Sequence, residues 1–133
     1  MKNLLCIVLA SLVLMLMSPE ALAKEKGEAS IKFQETIYDF GNVNEKGGPV
    51  SHEFKFVNEG DAPLVIKSAT AECGCTKPTF TDQAVKPGES GIINVTYNPL
   101  GRPGGFTKVV TVRCNGIPGK VNLKIRGTVN PRK

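Results

Sequence analysis

Between Ile31 and Val129 apolar residues recur at every second position in short runs, and turn-forming residues separate those runs. A period of two sends successive side chains to opposite faces of an extended strand, so the pattern predicts strands with one dry and one wet face. Val50–Asn58 is the clearest case, with Phe54 and Phe56 alternating against Glu53 and Lys55. The pattern repeats at Ile93, Val95 and Tyr97, at Val110, Val112 and Cys114, and at Val121, Leu123, Ile125 and Val129. A first strand begins at Ile31–Phe33 and resumes through Ile37–Phe40, and a further run, Pro63–Ala69, ends at two cysteines. Lys46–Pro49, Asn58–Asp61 and Lys86–Glu89 supply turn chemistry between the runs. Asn98–Gly105, which holds two prolines and three glycines, reads as loop. The count is about seven strands, which predicts an all-β chain folded as a single seven-stranded β-sandwich.

The N-terminal region has a different pattern. Lys2, the apolar run Leu4–Met17 and the small residues Ala21-Leu22-Ala23 read as a signal peptide over residues 1–23, cleaved after Ala23. That run is 14 residues long. At about 1.5 Å per residue it falls short of a hydrocarbon core of roughly 30 Å, so no stable membrane anchor is expected after cleavage. Cys6 lies inside the run, far from the processing site, and does not suggest lipidation. Residues 24–30 are polar, small and charged, and read as a flexible lead-in to one domain over residues 31–133. The expected location is periplasmic or secreted.

Charge and composition narrow the function classes. The net charge is +5, and export makes nucleic acid an unsuitable partner. An acidic polysaccharide, anionic lipid or acidic protein would suit a basic surface, but the lysines and arginines are dispersed and fit an ordinary solvated exterior. The chain has no tryptophan, which excludes an antibody-type core.

Asp39-Phe40-Gly41, Phe54-Lys55-Phe56-Val57-Asn58 with Gly60 and Pro63-Leu64, and Cys73-Gly74-Cys75-Thr76 together resemble the bacterial exported family catalogued as domain of unknown function 1573. Pro87-Gly88-Glu89-Ser90-Gly91, Tyr97-Asn98-Pro99, Gly101-Arg102-Pro103-Gly104 and Ile125-Arg126-Gly127 continue the pattern, which spans about residues 35 to 129. The resemblance implies an immunoglobulin-like sandwich similar to major sperm protein and Hydin-type domains, which act mostly as non-enzymatic binding or scaffold modules. It supplies no settled activity and no role for Cys114.

Three cysteines would remain after cleavage, namely Cys73, Cys75 and Cys114. In the sandwich topology that the resemblance implies, Leu64–Ala69 should run antiparallel beside Phe106–Asn115, which puts the cysteine pair near the start of the second strand. Cys114 then sits roughly 25 Å away at about 3.3 Å per residue. A disulfide needs Cα atoms within about 7 Å, so Cys114 is expected as a buried, unpaired core residue. Cys73 and Cys75 could bridge across Gly74, pack as thiols, exchange with other thiols, or bind a soft metal such as Cu(I) or Zn(II). Two thiolates leave a tetrahedral zinc site half filled, and nothing places His52, the single histidine, beside them.

His52 shares parity with Phe54 and Phe56 and is expected in a hydrogen-bonded packing role. No serine or thiol shows a partnering base and acid, and no carboxylate pair stands out, so neither catalytic residues nor a cofactor are expected. Arg102, in a loop at a sandwich end, offers a fork of donors for a carboxylate or sulfate, unless a neighbouring carbonyl ties it down. Asn94-Val95-Thr96 matches a glycosylation sequon, read as coincidental in a bacterial chain. The reading is a non-enzymatic exported binding module for a protein or glycan of the cell envelope, with Cys73, Cys75 and Arg102 as candidate site residues. The alternative is a thiol-redox or soft-metal protein centred on the cysteine pair.

Overall fold

The computed structural model describes residues 27–131. The expected signal peptide over residues 1–23, Cys6 and residues 24–26 of the expected lead-in lie outside the described residues. Among the described residues every regular element is a strand: β1 (Ile31–Phe33), β2 (Ile37–Asn44), β3 (Val50–Asn58), β4 (Ile66–Ala71), β5 (Thr76–Phe80), β6 (Ser90–Tyr97), β7 (Gly104–Cys114) and β8 (Lys120–Asn130). They form two four-stranded sheets, ordered β1-β3-β6-β5 and β2-β8-β7-β4. All neighbours are antiparallel except β2 and β8.

The structure is thus an all-β sandwich, with eight strands where seven were expected. One difference is that Ile31–Phe33 and Ile37–Asn44 are separate strands in opposite sheets. Gln34, Glu35 and Thr36 between them are all exposed, and this polar link carries the chain across the rim of the sandwich. The other difference is β5, whose sequence Thr-Lys-Pro-Thr-Phe has too few apolar positions to show a period.

Alternation does place the core. Phe54, Phe56, Ile93, Val95, Tyr97, Val110, Val112, Leu123, Ile125 and Val129 are all at most 1% exposed. Side chains from both inner faces meet there, and burying a large apolar group contributes about 1.5–3 kcal/mol. Tyr97 stacks on Phe106 across the layers at 4.0 Å between ring centroids.

One buried polar residue closes an end of the sandwich. Asn58, at the end of β3, is 0% exposed. Its Oδ1 accepts the N–H groups of Ser30 and Gly60, at 3.2 and 3.0 Å. Its Nδ2 donates to the carbonyls of Ala62 and Val85, at 2.7 and 2.9 Å. Its backbone N–H donates to Glu89 O, and its carbonyl accepts Gly88 N–H. Four separate segments are therefore tied to one side chain or its backbone. Gly60 lets the Glu28–Ser30 segment pass close by, since a Cβ there would overlap the carbonyl of Glu28. Gly27–Ser30 of the lead-in is docked on this end: Ala29 is buried, and Glu28 and Asp61 exchange hydrogen bonds. Asn115 adds to the clasp by accepting Val65 N–H and donating to Pro63 O.

Asn58→Ala strips the partners from four buried or half-buried backbone groups. Each unsatisfied group costs on the order of 1–3 kcal/mol. Urea unfolding should show a loss of about 4 kcal/mol, against under about 1 kcal/mol for the exposed control Lys55→Ala.

Candidate functional site

The opposite end of the sandwich gathers the candidate residues. β4 leads into the turn Glu72–Cys75, which crosses to β5 in the other sheet. Within that turn Cys73 and Cys75 form a disulfide, with Cα atoms 5.2 Å apart. Thr76 N–H donates to Cys73 O at 3.1 Å, and Asn98 N–H donates to Cys75 O at 2.9 Å. Cys75 N–H points at Cys73 Sγ, 3.2 Å away, and Thr76 Oγ1 lies 3.5 Å from Cys75 Sγ. Cys75 is buried and Cys73 is half-buried. Cys73 faces a depression of about 300 Å³ whose other walls include Glu72, Thr76, Thr107 and Lys108. A ring this short removes little freedom from the unfolded chain, so the bridge is a weak staple.

Arg102 stands at the same end. Its loop is held by Arg102 N–H to Pro99 O, by Leu100 N–H to Asn98 Oδ1, and by Gly101 N–H to Glu45 Oε2. Gly101 and Gly104 have φ of 73° and 105°, values open to glycine and rarely to other residues. The Arg102 guanidinium is exposed and has no hydrogen bond or ion pair among the described residues. The two ion pairs among the described residues are His52–Glu35 and Arg126–Asp39.

Arg102, Lys108, Tyr97 and Phe106 line a second depression of about 520 Å³. Thr107 and Lys108 belong to both depressions, so the disulfide and Arg102 open onto one continuous surface along the first half of β7. Burial raises the Tyr97 phenol above its ordinary value of 10.0, and the Arg102 cation pulls it partly back. Sequence reasoning missed Lys108, which shares the parity of the buried Phe106 and Val110 and so occupies a position of the dry face where no charged group is expected.

Cys114 and His52 lie elsewhere. Cys114 is buried and free, opposite Ile66 on β4, whereas Ala71, next to the disulfide turn, faces Val110. Its thiol donates to Pro118 O at 3.3 Å. His52 stacks on Tyr38 with centroids 3.6 Å apart and bonds Glu35, which fastens β3 to the β1–β2 crossing. Among the described residues no three His, Cys, Asp or Glu side chains converge on a point.

The sheet edges differ in what they offer a partner. β1 is covered, since Ile31 N–H donates to Ile117 O and Ile117 N–H to Ala29 O. β2 is broken by a bulge between Asp39 and Asn42, and the Asp39 carboxylate accepts Gly41 N–H at 2.7 Å. On β5, the bonds Thr81 N–H to Ile92 O and Asn98 N–H to Cys75 O fix the alternation, which turns Pro78 outward. Proline has no N–H there to offer. On β4, Asn115 N–H to Val65 O and the register after the bulge turn Ser68 and Thr70 toward β7. The backbone groups of Ala69 and Ala71 therefore face outward.

The two four-stranded sheets define an immunoglobulin-like β-sandwich domain. Over residues 31–129 the chain matches the family described as "Protein of unknown function (DUF1573)", and it belongs to that family. No curated protein matches. Among solved structures, a protein of unknown function from Porphyromonas gingivalis W83 superposes with a TM-score of 0.66 at 16% identity, covering 76% of this chain and 47% of that one. The chain thus spans about half the length of that relative. The ASH/PapD-like domain 7 of human CEP192 gives a TM-score of 0.65 at 9% identity, over 80% of this chain and 89% of that chain. The E. coli chaperone DraB gives 0.50 at 15% identity, over 77% and 56%. These likenesses establish the fold.

Because the Tyr97 phenol is raised in the folded state, the unfolded chain loses that proton first as pH climbs past 10.0. The stability associated with neutral Tyr97 is complete below that pH and is lost above it. Arg102→Gln removes the opposing cation, so phenolate absorbance should report a higher Tyr97 pKa. Urea unfolding should show a larger fall in stability for R102Q than for wild type across the same alkaline range.

Proposed function

We propose that this chain is an exported, non-enzymatic binding module of the cell envelope whose partner is a protein that adds a strand to the β4 edge. The observation that carries this reading is the contrast among the four sheet edges. One is covered, one is bulged, one presents a proline, and β4 turns the N–H and C=O groups of Ala69 and Ala71 to solvent. An extended segment placed there gains backbone hydrogen bonds, while its side chains meet flanking pockets that set specificity. Ala69 and Ala71 are small and leave the approach open. The depression beside Cys73 begins at the end of the same edge, since Ala71 forms part of its wall.

Export rests on the residues 1–23 pattern. The printed name of DraB, a chaperone, is consistent with a domain of this shape working by contact with another protein. The absence of a sequence-evident nucleophile, base and acid argues against an enzyme.

Two proline substitutions test the edge. Ala69→Pro removes an outward N–H and should cost under about 1 kcal/mol, while Thr70→Pro breaks a ladder bond to β7 and should cost at least about 2 kcal/mol. Wild-type protein immobilised on beads should retain a reproducible set of envelope proteins that folded A69P loses. Equal retention by wild type and A69P, or no reproducible retention by wild type, would contradict the assignment.

A further inference from the structure

We propose that the Cys73–Cys75 disulfide is a thiol-exchange site, attacked at Cys73 by the thiolate of a small, negatively charged thiol. The two sulfurs are not equivalent. Cys75 is buried against the core, whereas Cys73 is half-buried and lies on the wall of the 300 Å³ depression. A small molecule entering that depression meets Cys73 first.

Local donors favour the same direction of attack. In the first step the incoming thiolate forms a bond to Cys73 Sγ. The bond between the two protein sulfurs breaks, and its electron pair leaves on Cys75 Sγ. The Thr76 hydroxyl, 3.5 Å from that sulfur, can turn its proton toward the new thiolate. In the second step another thiolate attacks the sulfur of the bound thiol, which releases a small-molecule disulfide and leaves Cys73 as thiolate. The Cys75 N–H, 3.2 Å from Cys73 Sγ, stabilises that product. Two thiols are oxidised to one disulfide and the protein disulfide is reduced, so the electrons balance.

The charge preference comes from Lys108. Its side chain borders the depression, and the Arg102 cation stands on the adjoining surface that shares Thr107 and Lys108. Neither has an ion-pair partner among the described residues. Glu72 also lines the depression and offsets Lys108 there, so the preference for an anionic thiol needs the second cation, Arg102, on the adjoining surface. The ring lies within the turn between β4 and β5, so opening it leaves the strand ladders intact and exchange proceeds in the folded protein. The site adjoins the β4 edge at Ala71, which borders the depression.

The test uses the purified protein with three probes at matched thiolate concentration: mercaptopropionate, mercaptoethanol and cysteamine. Acid quenching and mass-spectrometric peptide mapping follow the adduct. The expected result is a mixed disulfide on Cys73 in native buffer, with rates ordered anionic, neutral, cationic and the extremes separated roughly three- to tenfold at low salt. Lys108→Gln should shrink that ratio toward one, Glu72→Gln should widen it, and added salt should compress it in wild type. Adducts that form only in denaturant, adducts that map to Cys75, or rates independent of probe charge would each overturn the proposal.

Discussion

A buried amide at the end of β3 is the constraint around which this sandwich is organised. Asn58 joins the chain before β1, the turn Gly60–Ala62, the loop at Val85 and the turn at Gly88–Glu89. Those segments lie outside the eight strands, so the ladders of the two sheets do not by themselves fix their positions. A polar side chain held in the interior is costly unless each of its groups is satisfied, and here all of them are. Hydrophobic burial supplies most of the drive to fold. Asn58 and Asn115 decide how that end of the two layers is closed.

Closing one end firmly leaves the other end to carry chemistry. Around Val50, Tyr97 and Thr76 no comparable clasp exists among the described residues. The chain instead makes two tight features there, the disulfide turn after β4 and the glycine-shaped loop after Tyr97. The first half of β7 runs between them and contributes Phe106 to the core and Lys108 to the surface. The same strand thereby couples the packing of the sandwich to the electrostatics of the candidate site. The β4 edge runs into this region, so the open backbone and the reachable sulfur are neighbours in the fold.

Much of this was legible from residue order. Strict alternation in Val50–Asn58, Ser90–Tyr97 and Lys120–Asn130 needs one dry face, and those strands lie where the pattern puts them. The antiparallel neighbouring of β4 and β7 followed from the sandwich topology that the family resemblance implies, and strand length then separated Cys114 from the cysteine pair. What escaped had little apolar signal. β5 is a mostly polar edge strand, recognisable only through its pairing with β6, and the split between β1 and β2 depends on a three-residue polar link that sequence treats as an interruption. Asn58 reads as a turn residue until its four side-chain bonds are seen, because polar burial has no periodicity. Arg102 was found as a loop donor, but its meeting with Lys108 depends on how β7 passes beneath the loop.

Site-resolved amide hydrogen exchange tests the central claim most directly. The amides of Ser30, Asn58, Gly60 and Gly88 should exchange at the slow rate of the core strands, and those of Ser68 and Thr70 should also be protected. The amides of Ala69 and Ala71 should exchange rapidly. Fast exchange around Asn58, or protection of Ala69 and Ala71 equal to that of Ser68 and Thr70, would contradict a sandwich clasped at one end and open along β4.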